Sequence, residues 1–206
     1  MPRIDVRRLR VGKDHVNCYL VENTENDGLF IVDPGADADA VIRAANGRRA
    51  SAVLLTHGHF DHIGAADQVC RYFKAPLYIH EADVPKLTDC EANVGAAFGR
   101  FVTVAAKPVP LHGGETLDLG GMRVAVLHTP GHSAGGVCYV LPEGQGVLCG
   151  DTLFAHGYGR TDFPDGDFHL LRKSLRTLFN LTPRQPCYPG HEEPGMTGRD
   201  PAAEGE

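Results

Sequence analysis

The segment Thr56–His62, with the sequence THGHFDH, constrains the fold of this chain more than any other. It directly follows Ala52–Leu55, an apolar run that is too short for a helix and is typical of a buried strand. Gly58 lets the backbone turn sharply after that strand. Three histidines and one aspartate therefore lie on a loop at the carboxyl end of a strand, where α/β proteins place ligand chemistry. Such a cluster repels itself unless a cation lies within it, so we predict a divalent metal site.

The composition indicates one globular domain of 206 residues, with an apolar content of 42% that suffices for a core. The net charge of −6 excludes the basic surface of a nucleic-acid-binding protein. No apolar run reaches the roughly 18 residues of a membrane span. The basic N-terminus lacks the apolar stretch of a signal peptide, so we expect a cytoplasmic protein. The predicted domain covers residues 1–192, and a polar tail rich in proline and glycine, partly disordered, covers 193–206.

Hydrophobic periodicity predicts strands and helices in two successive sets. The predicted strands cover residues 4–11, 17–21, 29–32, 52–55, 77–79, 116–119, 123–127, 137–141, 147–149 and 186–188. The predicted helices cover residues 38–45, 63–73, 82–87 and 168–179. Residues 90–110 show no regular pattern and are interpreted as either a lid or a connector. Strands followed by helices, twice over, predict two β-layers between helices, an αββα sandwich.

Four predicted strands end in a turn-forming residue and a side chain that can bind metal. The histidine loop of residues 57–62 is the first, and His132, Asp151 and His191 each follow a glycine later in the chain. These seven side chains are too many for one four-coordinate ion and suit two ions that share a carboxylate. The most economical division gives His57, His59 and His132 to one ion, Asp61, His62 and His191 to the other, and Asp151 to both.

Mixed imidazole and carboxylate ligands suit zinc, iron or manganese, and of these we predict two zinc ions. The other histidines are interpreted as surface or hydrogen-bonded residues. They are His15, His80, His112, His128, His156 and His169. The six cysteines lack Cys-x-x-Cys spacing and are interpreted as buried free thiols rather than disulfides.

The metal-binding motifs resemble those of the metallo-β-lactamase fold superfamily. THGHFDH fits the THxHxDH motif of that superfamily, and TPGHSAGG at Thr129–Gly136 fits its second histidine motif. Gly150–Asp151 and Pro189–His191 fit the remaining two motifs. The resemblance extends from about Asn17 to His191, and it implies the αββα fold and a dinuclear site.

Within that superfamily, the glyoxalase II-like group is the most similar. GDTLFAHGYGRTDFPDGD at Gly150–Asp167 is similar to the GDxLFxxxxGRxDxxxGD segment of this group. The resemblance is to small single-domain members and implies hydrolysis of a small-molecule thioester. The helical C-terminal domain with which glyoxalase II holds glutathione has no counterpart before Glu206, so glutathione specificity is not carried over. HEEPGMTGRD stands where small members have a TTIGxExxxNPF-like ending. The best-known β-lactamases have a cysteine where Asp151 stands, which argues against lactam hydrolysis.

The resemblance also implies a mechanism. Two ions lower the pKa of a bridging water, and the metal-bridging hydroxide attacks the acyl carbon. Asp61 is expected to orient the hydroxide and accept its proton. Tyr158 and Arg160 are the candidate substrate contacts, although Tyr158 could be a packing residue and Arg160 could form a salt bridge with Asp162 or Asp165. The sequence leaves a homodimer open.

Three other functions remain as alternatives. Persulfide dioxygenases share the fold and a GRTDF segment, found here at Gly159–Phe163, but use one iron at positions that match His57, His132 and Asp151. A hydrolase of a phosphodiester, a lactone or a secondary-metabolite thioester would use the same site. A scaffold without activity is disfavoured because all seven ligand positions are filled.

Overall fold

The structure is a computed structural model that describes residues 3–198. Two six-stranded sheets form its centre. The first sheet contains, in chain order and in spatial order, β1 (Ile4–Val11), β2 (Val16–Asn23), β3 (Leu29–Val32), β4 (Ala50–Leu54), β5 (Leu77–His80) and β6 (Pro108–Leu111). The second sheet contains β7 (Thr116–Leu119), β8 (Met122–His128), β9 (Val137–Val140), β10 (Val147–Gly150), β11 (Pro186–Pro189) and β12 (Gly195–Met196), also adjacent in this order.

Both sheets are mixed. Strands β1, β2 and β3 form an antiparallel meander, as predicted, and β3 to β6 run parallel. In the second sheet only β10 and β11 are parallel. The α-helices are α1 (Ala38–Ala44), α2 (Phe60–Ile63), α3 (Ala66–Phe73) and α4 (Phe168–Leu181), and 3-10 helices cover Glu81–Leu87, Ala96–Phe98 and Pro142–Gly144.

Alternation along the strands divides the core into layers. In β4 and the residue after it, Val53 and Leu55 pack with α1 and α3, whereas Ala52 and Leu54 pack in the core between the sheets. This is the period of two expected of a strand buried on both faces. On the other side, residues of α4 such as Leu175 cover the second sheet. The four layers confirm the αββα prediction.

The single helix predicted over residues 63–73 is wrong in one respect, because the chain forms two shorter helices there. The turn that follows β3 packs against the chain between the two helices, where Pro34 O accepts a hydrogen bond of 2.9 Å from Ala65 N. A Cβ atom at Gly35 would lie 1.7 Å from the backbone oxygen of Asp61, so only glycine permits this approach. A tertiary contact therefore interrupts the helical pattern.

The two segments with the weakest sequence signals both contribute to the sheets. Residues 90–110 form turns and the short helix Ala96–Phe98, and lead into the sixth strand of the first sheet. Strand β12 lies within the predicted tail and pairs with β11. The remaining tail, residues 199–206, lies outside the described residues. No helix in residues 3–198 is both long and apolar enough to cross a membrane.

The six cysteines are free thiols, as predicted. Five of them are buried, and Cys90 is partly exposed. Cys149, which lies two residues before the predicted ligand Asp151, packs with Leu171 and Leu175 in the core beneath α4.

Candidate metal centre

The seven predicted ligands lie on loops that follow strand ends of both sheets. His57 and His59 follow β4, and Asp61 and His62 lie in helix α2 directly after them. The second sheet supplies His132 after β8, Asp151 after β10 and His191 after β11. The strand ends of the two sheets meet at one edge of the sandwich.

The structure brings all seven side chains together in three overlapping groups. In each group, the candidate ligand atoms lie within 4.8 Å of one another. The groups are His57, His59 and His132; His57, His62 and Asp151; and Asp61, His62 and His191. The first and third groups are the two triads expected from the sequence, and the second places Asp151 between them. The middle group shares His57 with the first group and His62 with the third, so the three groups form one continuous cluster.

Hydrogen bonds fix the orientation of the imidazoles from the outside of the cluster. Nδ1 of His57 lies 3.1 Å from Thr56 Oγ1, and Nδ1 of His132 lies 2.8 Å from Arg160 O. Nδ1 of His62 lies 3.0 Å from a carboxylate oxygen of Asp33. Each contact leaves Nε2 directed into the cluster, which is the arrangement that orients a metal-binding histidine.

Several buried polar atoms of the cluster have no hydrogen-bond partner. They are Nε2 of His57, His59 and His62 and Oδ1 of Asp151. A buried polar atom without a partner costs about 1–3 kcal/mol, so these atoms indicate that the cluster binds a ligand. Nδ1 of His59 also lies only 3.0 Å from Nε2 of His132. Imidazole nitrogens and a carboxylate are a donor set that fits a divalent transition metal.

Burial sets the charge of the histidines at one end of the cluster. It lowers the pKa of His57 and of His59 well below the ordinary value of 6.5, and the neighbouring imidazoles, including His132, lower it further. These side chains are therefore neutral at pH 7, with a free lone pair. Only the neutral imidazole binds a metal ion, so this end of the cluster is prepared for coordination.

At the other end of the cluster, carboxylates surround the histidines. Burial alone would lower the pKa of His62, but the carboxylates of Asp61, Asp151 and Asp33 outweigh it and raise that pKa to about 10. Burial would raise the pKa of Asp61, but His62 and His191 outweigh it and lower that pKa. The pKa of His191 is raised because Asp61 outweighs the burial that would lower it. Binding of a cation at this end must therefore displace a proton from His62.

Glycines at the loop ends permit the close approach of the ligand loops. A Cβ atom at Gly190 would lie 2.2 Å from Oδ1 of Asp151 and 2.6 Å from Cε1 of His62. Any other residue at this position would push apart the loops that carry Asp151 and His191. The glycine before the histidine thus has the spatial role that the sequence pattern indicated.

Sequence reasoning missed Asp33, which directly follows the predicted strand at residues 29–32. Asp33 is buried and accepts hydrogen bonds from the backbone nitrogen of Thr56 at 2.8 Å and from Thr56 Oγ1 at 2.6 Å. It also contacts His62, as described above, and so connects the end of β3 to the metal loop. Its positive φ of 49° is unusual for a residue other than glycine, but a single sequence does not show it.

Asp83 and Lys86 were also missed. Asp83 is fully buried and accepts hydrogen bonds from Gly58 N at 2.8 Å, Gly135 N at 2.8 Å and Ser133 Oγ at 3.0 Å. Lys86 Nζ donates to the same carboxylate at 2.8 Å. Asp83 therefore joins the loop of His57 and His59 to the loop of His132. Nothing in the local sequence indicates this, because its partners are up to 52 residues away.

The cluster forms the floor of an open cavity of about 460 Å³. Tyr158 and Arg160, the predicted substrate contacts, both line it. The Arg160 guanidinium donates two hydrogen bonds of 2.6 Å to Asp162 and lies 4.6 Å from the ring centre of Phe163. The Tyr158 ring is tilted against that of Phe168 at 5.9 Å. The salt bridge with Asp162, considered from the sequence, is therefore present, and the role of both side chains in substrate binding stays a prediction.

The remaining histidines are on the surface or hydrogen-bonded, as predicted. His80 Nδ1 accepts a hydrogen bond of 3.2 Å from Ala82 N, and His128 Nε2 contacts a backbone oxygen at 3.0 Å; the two rings stack at 3.9 Å. His112 pairs with Glu81 at 3.1 Å. The other three are exposed: His15, His156 and His169.

The chain was compared with known families and proteins. The model of the metallo-beta-lactamase superfamily matches residues 11–191. Among curated proteins, hydroxyacylglutathione hydrolase GloC of Haemophilus influenzae is 34% identical over 165 residues, which are 78% of this chain and 77% of that protein.

Two solved structures show the same architecture. The BLEG-1 B3 metallo-beta-lactamase superimposes with a TM-score of 0.89 at 34% identity over 94% of each chain. TTHA1623 in a di-iron-bound form superimposes with a TM-score of 0.83 at 34% identity over 93% of this chain and 95% of that one.

Proposed function

The chain belongs to the metallo-beta-lactamase superfamily, and from this premise we propose that it hydrolyses small-molecule thioesters with two divalent ions. The observation that supports this most directly is the set of three overlapping ligand groups, in which four buried polar atoms have no hydrogen-bond partner. The similarity to the hydroxyacylglutathione hydrolase GloC supports a thioester over other acyl compounds.

The proposed ligand assignment follows the geometry. His57, His59 and His132 would hold one ion, and Asp61, His62 and His191 the other. Asp151 would contact both, because its Oδ2 lies 3.5 Å from His132 Nε2 and 3.6 Å from His191 Nε2. We propose zinc, and the di-iron form of TTHA1623 makes iron the first alternative to test.

The two ions, when bound, would supply a water of lowered pKa and an electrophilic centre for an acyl oxygen. The protein itself supplies orientation. Asp61 lies at the cavity floor and is ionised because His62 and His191 lower its pKa, so it can accept a hydrogen bond from the attacking water and orient it. Tyr158 and Arg160 would contact the substrate at the cavity wall. A thiolate leaves without a strong general acid, which suits a site whose acids are ionised.

Lactam hydrolysis is a second candidate. The 34% identity to the BLEG-1 B3 metallo-beta-lactamase favours it, although the sequence argument about the cysteine of better-known β-lactamases pointed away from it. The leaving group in a lactam is an amine, which needs a proton to depart. We therefore rank lactam hydrolysis second to thioester hydrolysis.

The test combines metal analysis with three assays on the purified protein loaded with zinc, iron(II) or manganese. We expect two ions per chain by mass spectrometry of the metals and thiol release from acyl thioesters. A chromogenic cephalosporin tests lactam hydrolysis, and oxygen consumption with glutathione persulfide tests the dioxygenase alternative. Inert thioesters together with oxygen loss on the persulfide, or one ion per chain, would overturn the proposal.

A His59→Ala variant tests the ligand assignment. It should lose metal and thioesterase activity together, because His59 belongs to a group of only three ligand atoms. The matched control is His112→Ala, which removes a histidine that is exposed and paired with Glu81. Full turnover by His59→Ala would contradict the assignment.

A further inference from the structure

The walls of the cavity above the metal cluster are aromatic. Phe163 lies 5.1 Å, between ring centres, from His59, and Phe154 lies 6.4 Å from His191, so a ring stands beside each end of the cluster. Phe60 and Phe98 form a third aromatic wall, with ring centres 5.6 Å apart. These rings come from helix α2, from the 3-10 helix at residues 96–98 and from the loop after β10.

Phe98 is the most exposed ring of this wall. The Phe98 side chain is 55% exposed, and its ring packs against that of Phe60. Binding of a ligand over a half-exposed apolar side chain at a cavity wall is favourable, because it removes apolar surface from water. Apolar walls with a few directed polar groups are typical of sites that bind an apolar ligand.

The cation in the cavity wall is already paired. Of the three aspartates among the lining residues within 3–198, Asp61 and Asp151 belong to the metal cluster and Asp14 pairs with Arg100. Arg160 is the only lysine or arginine in the same lining set. Its Nε and Nη2 form the edge that would match a carboxylate, and this edge is already bonded to Asp162. A carrier with free carboxylates, such as glutathione, would therefore meet a guanidinium in this wall that is already bonded to Asp162.

We propose that this cavity selects thioesters with an apolar, ring-sized acyl group and a thiol carrier that bears no carboxylate. The inference rests on the proposed thioesterase function and specifies its substrate class. Phe98 determines acyl selectivity by covering the ring of the substrate. Asp162 determines carrier selectivity by occupying the carboxylate-binding edge of Arg160.

The experiment compares four thioesters with the metal-loaded, full-length protein. Phenylacetyl and acetyl groups on N-acetylcysteamine, a neutral thiol, test the acyl part. Phenylacetyl and lactoyl groups on glutathione test the carrier. We expect the phenylacetyl ester of N-acetylcysteamine to have the highest kcat/KM of the four.

Two variants test the residues. Phe98→Ala should reduce the ratio of kcat/KM for phenylacetyl over acetyl about tenfold, as expected when a contact in an apolar pocket is lost. The matched control is Phe101→Ala, because Phe101 is 79% exposed and does not line the cavity, so it should leave the ratio unchanged. Asp162→Asn should increase kcat/KM for the glutathione esters relative to the N-acetylcysteamine esters, because it frees the Arg160 edge.

The outcomes separate the two proposals. If no thioester is hydrolysed, the proposed function fails and the inference fails with it. If thioesters are hydrolysed but lactoylglutathione is the best of the four, the inference alone is overturned. Equal selectivity of the Phe98→Ala and Phe101→Ala variants would likewise overturn the role of Phe98.

Discussion

The buried pair of Asp83 and Lys86 gives the sharpest prediction about stability. We consider Lys86→Met, which keeps the aliphatic stem and removes the charge. The Asp83 side chain is 0% exposed and that of Lys86 is 6% exposed, so the variant leaves a carboxylate in the interior without its countercharge. Removing one partner of such a pair typically costs about 3–5 kcal/mol.

The structure places the expected cost near the lower end of this range. Asp83 keeps three other donors, from Gly58, Ser133 and Gly135, and each continues to stabilise the ionised carboxylate. We therefore expect the free energy of unfolding to fall by about 3 kcal/mol. Lys86 also bonds Asp165, but that carboxylate is partly exposed and adds little.

The assay is urea denaturation of the metal-saturated protein at pH 7, with the midpoint converted to a free energy at an unchanged m-value. The matched control is Arg100→Met, because the pair of Arg100 with Asp14 is 42% and 43% exposed and should contribute only about 0–1 kcal/mol. The double variant Lys86→Met with Asp83→Asn should recover part of the loss, because no buried charge is left unpaired. A loss for Lys86→Met no greater than that for Arg100→Met would refute the reasoning.

Three further predictions concern the metal centre and the effect of pH. Asp33→Asn should weaken metal binding about 10- to 100-fold in calorimetric titration, because it removes the carboxylate that orients His62 and Thr56; unchanged affinity would exclude this orienting role. Chelation should lower the free energy of unfolding by about 4 kcal/mol relative to protein with free metal at 1,000 times Kd, and a chelated protein as stable as the loaded one would contradict the site. The pKa of Asp165 lies below its ordinary value of 3.8 because hydrogen bonds from Ala134 N and Lys86 outweigh burial. The stability it contributes is therefore present above pH 3.8 and lost as the pH falls through the lower folded pKa. In urea denaturation with a chelator present, the difference in free energy of unfolding between wild type and Asp165→Asn should shrink over that acidic range. A difference that grows there would contradict the prediction.

Sequence periodicity predicted the parts of this fold that depend on local pattern. The buried strand before Thr56 and the amphipathic helix at residues 168–179 were found because their apolar spacing is a property of the segment itself. The ligands were found because each follows a strand end and a turn-forming residue. Such signals are local and do not depend on knowledge of tertiary contacts.

The missed features depend on contacts between distant segments. The interruption at Gly64 arises from the crossing turn at Pro34, and Asp83 acquires its role from loops far along the chain. An aspartate within a helical segment is usually solvated, so the burial of Asp83 could not be predicted from the spacing of apolar residues. The predictions of a homodimer, of a cytoplasmic location and of the substrate contacts stay predictions.

The distribution of the ligands between the sheets has a consequence for cutting the chain. The first sheet ends at Leu111 and the second begins at Thr116. Each of the three ligand groups takes two side chains from the half before this junction and one from the half after it. A nick within residues 112–115 would therefore leave no complete triad on either piece. Metal uptake by such a mixture would report reassembly of the two pieces directly.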